Sequence, residues 1–343
     1  MSAAPFSSAD LGLARIVAQH LVGEKLTDPA DVVAHLGAMQ AQDLPGALTS
    51  VALRTRSGDE EAVLQALASG AIVRSWPLRG TLHLTTTADL GWICELTRER
   101  GLRHAAARHR ELGIDDALYG RAETAVVAAL SSGPLTRAGL QKRWEGTEFT
   151  GVPQRLIHLL SMLSLRGVLV QTGPLDGNQP VFRLADDWIT DPAAPSDRAE
   201  ALRWITERYF RGHGPATLKD LARWTGLTLT ELKPAVAALE GEVLTRTELD
   251  VKGSAVPHWH DPALPDRYAE HRRAARGRLW LPGFDELVLG YADRTCTIRP
   301  HHAQAIVPGG NGVFRATVID GGVAIGTWQR GRPGELVPLP TGA

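Results

Sequence analysis

Apolar positions spaced three and four apart run through residues 9–21, 29–40, 60–69 and 87–110, the period of helices that bury one face. Between the third and fourth of these, IVRSWPLRGTLHLTT switches to alternation around a Trp-Pro-Leu-Arg-Gly centre and predicts a two-stranded hairpin. Leu44-Pro45-Gly46 reads as a loop. Helices followed by a hairpin give the element order of a winged helix.

The order then repeats. GPLTRAGLQKRW at 133–144 aligns with GPATLKDLARW at 214–224, each a Gly-Pro step followed by a threonine-led helix that ends in tryptophan. A helical stretch precedes each copy, at 118–130 and 198–210, and another follows, at 153–165 and 230–239. Strand-forming runs come next. GVLVQTGPLDGNQPVFRLA holds a turn-rich GPLDGNQP between two β-branched runs, and EVLTRTELDVKGSAVPHW behaves likewise. Past HDPALPDR the chain turns to short β-rich runs separated by Gly-Gly, Gly-Asn-Gly and Asp-Gly-Gly, with a lead-in helix at 265–276. The expected fold class is α+β, mainly α: three tandem winged-helix (helix-turn-helix) units and a small C-terminal β-barrel. The boundaries expected are 1–115, 116–196 and 197–262 for the three units and 263–343 for the barrel.

Composition narrows the function classes. The 343 residues carry 37 basic and 38 acidic side chains, a formal net charge of -1, which argues against binding nucleic acid by bulk charge. The basic residues nonetheless bunch at 98–110, 137–144 and 271–280, an arrangement that permits a one-sided basic groove. Cys94 and Cys296 lie far apart and form neither a disulfide framework nor a thiolate metal site. With no apolar run of spanning length and no leader pattern, a cytoplasmic protein is expected, without a membrane partner. Walker, nucleophile-elbow and dinucleotide fingerprints are missing, and the histidines of PHWHD and His301-His302 lack ligand spacing, so no metal and no cofactor are expected.

What remains is a pair of amides. In MQAQD, Gln40 and Gln42 flank one alanine; a glutamine cannot exchange protons near neutral pH, but it can hold water or a base edge. Side chains at i and i+2 do not share a helix face, and both amides can equally serve a helix end. Arg74, Arg79 and His83 surround the expected hairpin tip at Arg79-Gly80, where glycine permits close approach; they can meet phosphates, while Trp76 packs the hairpin onto its helices.

MQAQD, RSWPLRGTLHL, LPGFDELVLGYADRT and a late GTW, in that order, resemble the AlkZ/YcaQ-like family of winged-helix DNA glycosylases over nearly the whole chain. The resemblance implies three winged helices and a β-barrel around a DNA channel, with catalysis by a Gln-aliphatic-Gln motif. That motif matches Gln40, Ala41 and Gln42, which sides with the AlkZ-like branch, since the other branch carries aspartate at the second polar place. It implies further that the second hairpin, with Asn178 and Gln179, probes the minor groove, and that Asp285 and Arg294 form a charge pair, with Asp285 as a site carboxylate. The partner so implied is double-stranded DNA carrying alkylated bases, acted on by a monomer. Two other readings compete: a non-catalytic winged-helix DNA-binding regulator, and a scaffold that has lost DNA binding.

Overall fold

The computed structural model describes residues 6–173, 179–251, 253–310 and 312–340. Helix accounts for about half of the chain and antiparallel strands are interspersed with it. Two compact units divide it: Met1–Glu60 with Leu202–Ala343, and Glu61–Ala201. Among the described residues no helix is long and apolar enough to cross a membrane.

In the first unit, the Leu11–Ala18 helix is buried along its whole length and packs on the Leu264–Ala275 helix. Leu13, Ile16 and Val17 meet Leu264, Tyr268, Leu281, Val288 and Ile319 in one core, so the two ends of the chain fold together. Four strands follow: Leu279–Leu281, Thr317–Asp320, Val323–Gln329 and Arg332–Pro338 pair antiparallel in sequence order. The expected barrel is not closed. Its two outer strands, Leu279–Leu281 and Arg332–Pro338, do not pair with each other, and four strands are too few to wrap around an interior.

In the second unit the two predicted hairpins become one antiparallel sheet. Its order is Thr81–Thr86, Ile72–Leu78, Leu169–Thr172, Val181–Leu184 and Leu135–Thr136, joined at Arg74 opposite Gln171. Trp76 lies in the core as expected, 5% exposed and stacked on Phe182 with ring centroids 6.4 Å apart. Arg79 and Gly80 join the first hairpin with φ of 53° and 68°, the two positive values that a two-residue mirror-image turn requires.

The internal repeat has a local cause. Thr136 accepts the Gly139 N–H at 3.0 Å, and Thr217 accepts the Asp220 N–H at 3.1 Å, so each Gly-Pro-x-Thr starts a helix by capping it. At Thr217 the box is complete, because Asp220 accepts the Thr217 N–H in return.

Two expected boundaries shift. The helix predicted over 29–40 stops at Leu36, because Gly37 at φ 77° turns the chain out, and Gln40 falls in the short strand Met39–Gln40. The supposed loop Leu44-Pro45-Gly46 is the first turn of a helix, Leu44–Ala52, in which proline occupies a position whose N–H would have no partner anyway.

One pair of side chains makes the first unit acid-sensitive. His20 and His35 meet edge to face, centroids 4.6 Å apart, with ring nitrogens against the carbonyls of Glu24 and Ala18. Burial, then the neighbouring His20, holds the His35 imidazole down at about 3, and burial lowers His20 as well. The ordinary value is 6.5, so below that pH the unfolded chain takes up protons that the folded chain refuses. Stability is therefore expected to fall as pH drops from about 6.5 towards about 3. Urea titrations across this range should show a lower midpoint at each acidic step and a shallower dependence in His35→Gln; an unchanged dependence in that variant would remove His35 as the cause.

Candidate active site

The glutamine motif lies on extended backbone between two helices rather than on a helix end. Gln40 is 8% exposed, Ala41 is fully buried and Gln42 is exposed. A small middle residue suits that burial. The Gln40 N–H donates to Glu286 Oε1 at 2.8 Å, while its side-chain amide has no hydrogen-bond partner among the described residues. The backbone is thus fixed and the functional group left available.

Beneath this strand lies a buried polar layer. Glu286, 1% exposed, also accepts the Trp224 indole N–H at 3.2 Å and faces His213 Nε2 at 3.3 Å. Its neighbour Asp285 caps the Glu286–Leu289 helix through the Leu287 N–H. The expected pairing of Asp285 with Arg294 is corrected: the partner is Arg54, which reaches both carboxylate oxygens at 2.9 and 3.0 Å, with the Ser50 hydroxyl at 2.6 Å. Arg294 instead donates Nε to the Val288 carbonyl at 2.8 Å and lies over the Phe314 ring. Adjacency within one motif misled here, because the guanidinium that can reach Asp285 lies 231 residues away. Burial alone would push the Asp285 carboxyl up; the charge of Arg54 and the hydrogen bonds from Arg54, Ser50 and Leu287 hold it below the usual carboxylate range.

The layer continues outward. Arg54 donates to Gln19 at 2.6 Å, Gln19 to the Tyr291 hydroxyl at 3.0 Å, and Tyr291 to the His213 carbonyl at 2.9 Å. Arg15 covers the Tyr291 ring and reaches Asp220 at 3.6 Å. Glu286, His213, Trp224, Arg54 and Ser50 were not singled out from sequence. A readable sign did exist: charged residues inside the apolar runs VALRT and FDELVL must be buried, and buried charges require partners.

In the second unit, Arg74 is 9% exposed and donates to Gln171 at 2.6 Å, so it ties the two hairpins together. His83 is fully buried, Nδ1 on the Thr81 carbonyl at 2.8 Å and Nε2 on the Arg79 guanidinium at 3.3 Å. A carbonyl only accepts and a guanidinium only donates, which puts the His83 proton on Nδ1 and lets the ring brace the Arg79 tip. Gln179 is exposed; Asn178 lies outside the described residues.

These motifs and this architecture define a protein class. The chain belongs to the AlkZ-like DNA glycosylase family, whose model matches residues 33–339. It is 29% identical over 319 residues to an interstrand DNA cross-link repair glycosylase of Streptomyces sahachiroi, covering 89% of this chain and 84% of that protein. The solved structure of the DNA glycosylase AlkZ from Streptomyces sahachiroi matches with a TM-score of 0.76 at 26% identity, over 98% of this chain and 92% of that chain.

Removing one member of a buried ion pair strands the other, at a cost of about 3–5 kcal/mol. Asp285→Asn is expected to lose about that much stability in denaturant titration, and the double variant Asp285→Asn with Arg54→Met to regain most of it. A loss below about 1 kcal/mol in the single variant would show that the charge on Asp285 contributes little.

Proposed function

We propose that the chain is a monofunctional DNA glycosylase that hydrolyses the N-glycosidic bond of alkylated purines in duplex DNA, with Gln40 and Gln42 orienting the attacking water. The substrate class is N7-alkylguanine and related adducts, bulky or crosslinking ones included, of the kind left by DNA-alkylating natural products. The observation that carries this reading is the Gln40 amide: without a hydrogen-bond partner among the described residues, nearly buried, and held on a pinned strand beside an exposed second glutamine.

The chemistry suits amides. An N7-alkylated guanine is already cationic, so it departs as a neutral base and takes the bonding electron pair with it. Water then adds at C1′ of the oxocarbenium-like sugar and releases a proton to solvent, leaving an abasic site. No strong base and no imine-forming lysine is required; what the protein contributes is position and a fixed dipole. Arg79 at the hairpin tip, Arg294, and Gln179 with Asn178 are the contacts we assign to DNA. Arg74 and His83 act behind the tip, and Asp285 supports the site from within the core.

We read the helix and hairpin orders as three winged helices, at 1–115, 116–196 and 197–262, followed by the C-terminal sheet, in a cytoplasmic protein that works on the nucleoid as a monomer. In such units the last helix before the hairpin is the one that enters a major groove in a sequence-reading regulator. In the second and third units that helix is poorly equipped to read bases. Arg155–Leu165 buries seven of its residues and commits Arg155 to the carbonyls of Leu112 and Glu148. Leu229–Leu239 exposes mainly Leu229, Thr230, Lys233, Pro234, Ala237 and Ala238, without the arginine, asparagine or glutamine that reads base edges. This weighs against the regulator reading.

Base release from duplex DNA containing N7-methylguanine, and separately a bulky N7-guanine adduct, tests the proposal. Gln40→Ala and Gln42→Ala are each expected to slow release by about 10²-fold while DNA binding persists. Failure of the wild-type protein to release either base, with plain duplex still bound, would favour the non-catalytic reading, and a borohydride-trapped protein–DNA adduct would replace hydrolysis with an imine mechanism.

A further inference from the structure

We infer that Glu286 is a positioning residue for the glutamine pair: a buried carboxylate whose work is to fix the backbone of Gln40. The inference rests on the reading of Gln40 given above. Gln40 belongs to a strand of two residues, between a helix that ends at Gly37 and a helix that starts at Leu44. The bond from the Gln40 N–H to Glu286 Oε1 at 2.8 Å is made to a side chain 246 residues away, which ties the strand to the core beneath it.

Placing a carboxylate in a 1% exposed position is costly unless donors surround it. The donors come from separate elements: the Gln40 strand, Trp224 on the Leu218–Thr225 helix, and His213 at the end of the Arg198–His213 helix. The His213 ring is itself fixed. It stacks on Tyr209 with centroids 4.6 Å apart at 9°, and a Cβ on Gly290 would come within 2.8 Å of it. Its Nδ1 is buried without a hydrogen-bond partner among the described residues, and its Nε2 faces Glu286 Oε2, an acceptor, which puts a proton on Nε2. Trp224 and His213 therefore hold one oxygen of the carboxylate and leave the other aimed at the Gln40 N–H. An apolar side chain of similar volume would fill the site with less desolvation, but it would offer no acceptor. The acceptor is what the carboxylate adds, and a site that orients water without titratable groups depends on geometry, where a displacement of about 1 Å can cost about 10²-fold in rate.

The test uses the full chain with Glu286→Met, which fills the space without an acceptor, and Glu286→Gln, whose amide oxygen can still accept the Gln40 N–H. Single-turnover release of N7-methylguanine, duplex binding, and hydrogen exchange of the 15N-labelled Gln40 amide are measured for each, with Gln40→Ala alongside. Glu286→Met is expected to slow release by about 10²-fold with binding unchanged, and to speed exchange at Gln40. Glu286→Gln is expected to recover part of the rate and of the exchange protection, since its oxygen can accept from Gln40 only with its NH2 turned towards the Trp224 and His213 donors. Glu286→Ala carries the same expectation as methionine should that variant not fold. Equal rate loss in the methionine and glutamine variants, or wild-type exchange at Gln40 in Glu286→Met, overturns the role. Gln40→Ala releasing base at the wild-type rate overturns the catalytic reading of Gln40 itself, whereas dependence on Gln40 with Glu286→Met fully active overturns the role of Glu286 alone.

Discussion

The pair between Arg54 and Asp285 is the interaction on which the first unit depends. Both side chains are withdrawn from water, at 1% and 0% exposure, and their two-point contact joins the end of the Leu44–Ala52 helix to the start of the Glu286–Leu289 helix. A guanidinium taken into a low-dielectric interior tolerates only a narrow range of geometries, because each unmet donor is expensive there. Ser50, Gln19 and the Leu287 N–H add further partners to the pair, and Arg54 Nε alone of the guanidinium nitrogens has none among the described residues. The position of Asp285 then determines that of the next residue, Glu286, so the main chain beneath Gln40 is set by an ion pair that lies outside the glutamine motif.

That arrangement separates support from reactivity. Two carboxylates and a hydroxyl of the FDELVLGYADRT segment are buried and occupied: Asp285 by Arg54, Glu286 by Gln40, Trp224 and His213, and Tyr291 by Gln19 and the His213 carbonyl. The Gln40 side-chain amide, which is neutral, has no hydrogen-bond partner among the described residues. Rigid supports of this kind favour a site that acts through orientation, since oriented dipoles need no reorganisation when charge develops.

Periodicity was sufficient where burial contrast is strong. Glu60–Ser69 has the predicted bounds, and the Arg79-Gly80 turn and the threonine-led helices at 136 and 217 follow from local chemistry that a few adjacent residues contain. It misplaced the end of the second helix because Ala38 and Met39 continue its apolar pattern, although Gly37 marked the stop. The Leu44–Ala52 helix stayed hidden because proline and glycine suggest a turn, while proline in a first helical turn does the opposite. Of the candidate site, Gln40 and Gln42 were singled out through a motif. The partners of Asp285 and Gln40 were not, since a pattern along one dimension reveals that a buried charge needs a counterpart without revealing which distant residue supplies it.

The plain chemistry of the Gln40 amide has a consequence for the safety of the genome. An intact purine would have to leave its sugar as an anion or be protonated first, and an amide offers no proton near neutral pH. If Gln40 acts as proposed, undamaged nucleotides are refused because their bonds are too strong for so mild a site. Selectivity of that kind would rest on bond strength and not by itself on the size of the alkyl group.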